Sequence, residues 1–230
     1  MSSLIWKEWH EQRWKLAFGC FVIAFIAAVG LRARILPDET MCLLVCVLGV
    51  VLLPILSSTG LIPAERAEET FESLISLPVA PWRILVVKTI MGLLLCIAPL
   101  LAAAIVSLLV AGDREIPTWF MLHIYVRATF TTVSLFIWML ALTAHLPSET
   151  RAALLAIGLL ILWTLATVGI GNVGVPPFVF YASPIAAFFL VESSGYGASL
   201  LPGLTVQPLI LFLLLFWTAR RFTRGTDGKS

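Results

Sequence analysis

"PAERAEETFESLISLPVAPWRILVVK", Pro63 to Lys88, separates two long apolar runs. Glu65, Glu68, Glu69 and Glu72 crowd into this one stretch, although only 13 of the 230 residues are acidic. Turned at 100° per residue, Ala64, Ala67, Phe71, Leu74 and Ile75 share an arc of about 100°, with the glutamates on the adjacent arc. Pro63 suits a helix entrance, where its missing N–H costs nothing, and early glutamates suit the positive end of the helix dipole. Ser76-Leu77-Pro78 closes the helix, because the residue before proline is pushed out of helical geometry. The pattern predicts a short amphipathic helix over 64–77, held at the mouth of two spans.

Hydrophobic residues make up 60% of the chain and charged residues 12%, against roughly 45 to 50% and 25% in soluble domains. So little polar material cannot cover a water-facing surface, and most of the chain must face lipid. The predicted class is all-α: a polytopic membrane protein with six transmembrane helices. Windows long enough to cross about 30 Å of hydrocarbon fall near Leu16–Leu31, Met41–Ile62, Ile84–Ala111, Ile124–Leu146, Ala152–Ile170 and Leu204–Ala219. Pro54, Gly60 and Pro99 mark candidate kinks within them. The loop 171–203 is itself apolar, "VPPFVFYASPIAAFFLVESSGYG". Its central run is too short to span and is broken by Pro184, so a re-entrant hairpin is expected on the outer side.

Six spans put both ends of the chain on one side of the membrane. With the ends in the cytoplasm, eleven of the 15 lysines and arginines lie inside: Lys7, Arg13, Lys15, Arg66, Arg83, Lys88, Arg151, Arg220, Arg221, Arg224 and Lys229. Arg32, Arg34, Arg114 and Arg127 remain outside, so the positive-inside rule selects cytoplasmic termini. Arg127 falls close to the start of its span and reads as an interfacial anchor, and His123 reads the same way.

The leader "MSSLIWKEWHEQRWK" is amphipathic on the same wheel. Ile5, Trp6, Trp9 and Leu16 form its apolar arc, while Lys7, Glu8, Glu11 and Lys15 gather opposite. Lys7, Glu11 and Lys15 also make an i, i+4 ladder of alternating sign. This predicts an interfacial helix over 1–15, with Trp6, Trp9 and Trp14 at headgroup depth, turning into the first span. A helix resting on anionic lipid favours lysine and arginine, so the carboxylates of 65–72 point instead to a protein partner.

The stretch "ERAEETFESLISLPVAPWRILVVK" resembles the loop between the second and third spans of type-2 ATP-binding-cassette (ABC) exporter permeases. That loop usually reads E-R-x-x-G-T-L-E-x-L-L-S-L-P-V-S-x-x-x-I-x-x-x-K. Glu65, Arg66, Thr70, Glu72, Leu74, Ser76, Leu77, Pro78, Val79, Ile84 and Lys88 match; Glu69 stands where glycine is usual and Phe71 where leucine is. "LIWKEWHEQRW" is similar to the family's opening. The resemblance implies a permease subunit in a bacterial or archaeal cytoplasmic (inner) membrane. Its coupling helix would be 64–77, lodging in a separate P-loop ATPase, and its leader the connecting helix. ATP and Mg would be bound by the ATPase, with no cofactor on this chain, and a second permease copy would complete the assembly. Glu65, Glu68, Glu69 and Glu72 would meet basic groups of the ATPase, beside Arg66, Thr70, Ser76, Leu77 and Pro78, with Phe71 and Leu74 as the apolar anchor. Glu149 and Arg151 in "LPSETR" are candidates for a second cytoplasmic contact.

Other classes fit less well. No G-x-x-x-x-G-K-[ST] occurs, so no P-loop lies in this chain. An intramembrane enzyme is the first alternative, but Glu68-Glu69 has Ser73 where an E-E-x-x-x-R element needs arginine. "LSSTG" lacks a G-x-S-x-G elbow, and His10, His123 and His145 are scattered. Cys42 and Cys46 read as small packing residues rather than metal ligands. A net charge of +2 without an aromatic-laced basic stripe gives no nucleic-acid signal. An uncoupled channel or scaffold is the remaining alternative, and the acidic amphipathic helix argues against it. The spans carry no charge at mid-depth, which favours a hydrophobic or amphiphilic cargo.

Overall fold

The computed structural model describes residues 2–33, 36–63, 80–111, 118–146, 148–173, 184 and 200–227. They form six helices: α1 Ser2–Ala33, α2 Asp38–Leu61, α3 Pro81–Ala111, α4 Thr118–Thr143, α5 Glu149–Val173 and α6 Leu200–Asp227, with no strand among the described residues. Five of them, α1 to α5, are long and apolar enough to cross a membrane. Their outward faces carry residues such as Phe18, Phe21, Phe25, Leu101, Ile105 and Leu109, each more than half exposed. Apolar belts of that extent mark a membrane-spanning protein. Helix α6 contains the expected last span but is not among the five. Its apolar stretch lies between Gln207 and the basic pair Arg220 and Arg221.

The helix directions follow from which residues meet. Leu4 packs with Ile84 and Val87 in a small apolar cluster, Glu8 meets Lys88, and Gly19 leaves room for Pro99. These contacts advance together along both chains, so α1 and α3 run parallel. Helix α2 is antiparallel to α3: Gly49 lies against Leu100, and the Cys96 thiol donates to Ser57 Oγ at 3.5 Å. Helix α4 is antiparallel to α3, through Gly92 against Phe136 and a 2.7 Å bond between the Ser107 and Tyr125 hydroxyls. Helix α6 runs parallel to α4, with Ser134 Oγ donating to Gln207 Oε1 at 3.5 Å and His145 edge-on to Trp217 at 5.9 Å. Trp138 and Trp163 join α4 to α5, ring to edge at 5.1 Å. The start of α1, end of α2, start of α3, end of α4, start of α5 and end of α6 therefore gather at one end of the bundle.

Helix α4 is central, touching α2, α3, α5 and α6. Its Leu135, Phe136, Met139 and Leu140 are fully buried. Polar side chains in the bundle mostly bond to their own helix: Thr132, Thr143 and Thr218 donate to the carbonyl four residues back, at 2.6 to 2.7 Å. That satisfies a hydroxyl without needing a partner helix.

One boundary differs from expectation. The leader does not end near Leu16; α1 is unbroken from Ser2 to Ala33. No glycine or proline occurs before Gly19 to interrupt it. A single buried stripe, Leu4, Glu8, Gln12, Ile23, Ala27 and Leu31, runs down its whole length. Helices α2 and α3 each contain their proline, Pro54 and Pro99, within a single helix, as the sequence windows had placed them.

Candidate functional site

The expected docking residues Glu65, Arg66, Glu68, Glu69, Thr70, Phe71, Glu72, Leu74, Ser76, Leu77 and Pro78 lie outside the described residues. So does most of the apolar loop 171–203. What is described are the two stems of the 64–79 segment, the end of α2 and the start of α3, and the helix fastened across them.

Lys88, in the second turn of α3, is 1% exposed. Its Nζ donates to Glu8 Oε1 of α1 at 2.8 Å and to the Leu61 carbonyl, at the end of α2, at 3.4 Å. Glu8 is fully buried, and its Oε2 has no hydrogen-bond partner. Apolar walls enclose the pair: Leu4 lies one turn before Glu8, and Ile84 and Val87 sit on the face that carries Lys88. Gln12, one turn beyond Glu8, is also buried. One buried ion pair thus joins three helices where the chain leaves for, and returns from, residues 64–79.

The leader supplies a contrast on the same helix. Lys7 and Glu11 form the expected i, i+4 pair at 3.6 Å, exposed on both sides. Glu8, grouped on the sequence wheel with those polar residues, instead faces α3. The wheel of an isolated leader follows its strongest apolar arc, whereas α3 covers the stripe that is continuous with Ile23 and Ala27. Trp6, Trp9 and Trp14 all point outward. Trp6 stacks on His10 at 5.2 Å, and the Arg13 guanidinium lies 5.7 Å over the Trp14 ring.

Glu149 and Arg151 sit exposed in the first turn of α5, where the Arg151 N–H donates to Ser148 Oγ at 3.4 Å. This turn belongs to the same end of the bundle as Leu61 and Lys88. At the opposite end, Arg127 Nη2 meets His123 Nε2 one turn away on α4. Cys42 and Cys46 are buried free thiols on the inward face of α2. No group of three or more histidine, cysteine or acidic side chains converges among the described residues.

The Glu8–Lys88 pair was not anticipated from sequence, yet a signal was present. Lys88 lies inside the third apolar window, directly after Ile84, Leu85, Val86 and Val87. A charge within a span calls for a named partner, and Glu8 is the acid on α1 that the parallel packing brings to it. No family model matches the sequence, and no curated protein matches it either.

Proposed function

We propose that this chain is the membrane permease subunit of an ATP-binding-cassette exporter. The observation that carries the reading is the sequence of Pro63 to Lys88: a proline-framed stretch whose helical periodicity sets four glutamates on one arc and Phe71 on the next. Further support comes from the bundle. The stems of that stretch share one end with the start of α1 and with exposed Glu149 and Arg151, as a cytoplasmic docking face requires.

In this reading α6 is the sixth span, 171–203 holds a re-entrant segment on the outer side, and both termini and the 64–77 helix face the cytoplasm of a bacterial or archaeal cell. A separate P-loop ATPase binds ATP and Mg and receives Glu65, Glu68, Glu69 and Glu72 against basic groups, with Phe71 and Leu74 as apolar anchors. Two permease copies stand over an ATPase dimer. Closure of that dimer on ATP moves the docked helices and biases the spans between inward-open and outward-open packings. The cargo is hydrophobic or amphiphilic, consistent with spans free of mid-depth charge.

The test is Glu65→Lys combined with Glu72→Lys. The ATPase is expected to leave the detergent-solubilised complex, while the permease keeps its helical circular-dichroism signal and its melting temperature. Unchanged co-purification would rule out the docking role.

A further inference from the structure

We infer that Glu8 and Lys88 are positioning residues that lock the register of α1 against α3 and carry displacement of the 64–79 segment into α1. The second half of this inference rests on the docking reading above; the first half does not.

The geometry of the stems comes first. Any load on residues 64–79 arrives covalently at the end of α2 and the start of α3. Lys88 sits on one of these stems, bonds to the other through the Leu61 carbonyl at 3.4 Å and, across the packing interface, bonds to Glu8 of α1 at 2.8 Å. Helix α1 is not the chain neighbour of α3, since the whole of α2 intervenes. Its link to α3 at this end consists of apolar contacts, Leu4 on Ile84 and Val87, together with the ion pair.

The two kinds of contact resist motion differently. Apolar burial is non-directional, so it fixes the spacing of two helix faces more than their register. A buried charge pair resists sliding as well, because separating it leaves two unsolvated charges in an apolar shell. A one-turn slip would set Glu8 against Ile84 and leave Lys88 beside Gln12. The pair also contributes little that apolar packing could not: buried ion pairs are often replaceable by apolar residues without loss of stability, and the unpartnered Oε2 of Glu8 adds a desolvation cost. What it adds at this end is a directional fix on the register, beside the fit of Gly19 to Pro99 farther along the same two helices. Because α1 is one continuous helix, movement imposed on Glu8 is movement of the whole element.

The test of register uses the full chain in its native membranes, with Cys20, Cys42, Cys46 and Cys96 replaced by alanine and Leu4→Cys and Ile84→Cys added. Copper-phenanthroline oxidation is expected to join the two introduced thiols when Glu8 and Lys88 are intact. Lys88→Met is expected to slow cross-linking by about fivefold or more, and the exchanged pair Glu8→Lys/Lys88→Glu to restore it. Should Lys88→Met fail to reach the membrane, Glu8→Gln serves the same comparison. Equal cross-linking without the pair overturns the register lock.

The test of transmission uses the purified complex with its ATPase and follows fluorescein-maleimide labelling of His10→Cys with and without a non-hydrolysable ATP analogue. A nucleotide-dependent change in labelling is expected with the pair intact or exchanged. It should vanish in Lys88→Met while the ATPase still co-purifies. A change that survives in Lys88→Met overturns transmission. Absence of any ATPase from the parent complex overturns the docking reading and with it transmission, leaving the register result standing.

Discussion

Two lysine–glutamate pairs on α1 show how context sets the worth of the same chemistry. Lys7–Glu11 is exposed on both sides, so Lys7→Met should change stability by at most about 0.5 kcal/mol. Glu8–Lys88 is fully buried, and Lys88→Ala, which leaves an uncompensated carboxylate, should cost about 3 to 5 kcal/mol. Thermal unfolding of the detergent-solubilised protein checks both; equal shifts would contradict the burial. Glycines divide in the same way. A Cβ on Gly92 would run into the Phe136 ring and, at 2.6 Å, Leu61 Cδ1, whereas one on Gly158 would meet nothing within 4 Å. Gly92→Ala is therefore expected to destabilise by about 1 to 3 kcal/mol, and Gly158→Ala to be neutral or stabilise by up to about 1 kcal/mol. Sequence places Lys88 inside an apolar window but names neither its partner nor the neighbour of Gly92, because a glycine or a lysine in an apolar run carries no sign of which face a neighbouring helix will cover.

At the scale of elements, the apolar windows were legible and their limits less so. Composition places a helix over each of the six windows because a chain in lipid must satisfy its backbone internally. The break expected near Leu16 was wrong for a physical reason. A change from amphipathic to apolar sequence changes what surrounds a helix, not whether its backbone hydrogen bonds continue, and nothing between Ser2 and Phe18 interrupts them. Cysteine substitutions scanned through positions 5–20 should accordingly show one unbroken 3.6-residue periodicity in labelling, with positions 8 and 12 protected. A phase jump near Leu16 would indicate a separate interfacial helix. The buried face of the leader was not legible, since periodicity reports where apolar residues cluster, and α3 instead selected the stripe holding Glu8.

For the whole molecule, the alternating helix directions put the start of α1, the stems of 64–79, the start of α5 and the end of α6 at a common end. Alternation of the expected spans groups these same segments, and the excess of lysine and arginine beside them is what assigns that end to the cytoplasm in the proposed orientation. Single cysteines at Ser3, Thr70 and Thr226 are thus expected to react with an impermeant maleimide from the same side of sealed vesicles, and one at Glu115 from the other. Candidate docking residues could be proposed from sequence because the pattern that singles them out is local to one short stretch. The ion pair behind them could not, because it depends on a contact between residues 80 positions apart. The decisive measurement is affinity purification of the unaltered chain from its native membranes in mild detergent, followed by an assay of ATP hydrolysis. A co-purifying P-loop ATPase is expected, with Mg-dependent hydrolysis that Glu65→Lys/Glu72→Lys removes from the complex; a chain that purifies without an ATPase and without hydrolysis would contradict a permease role.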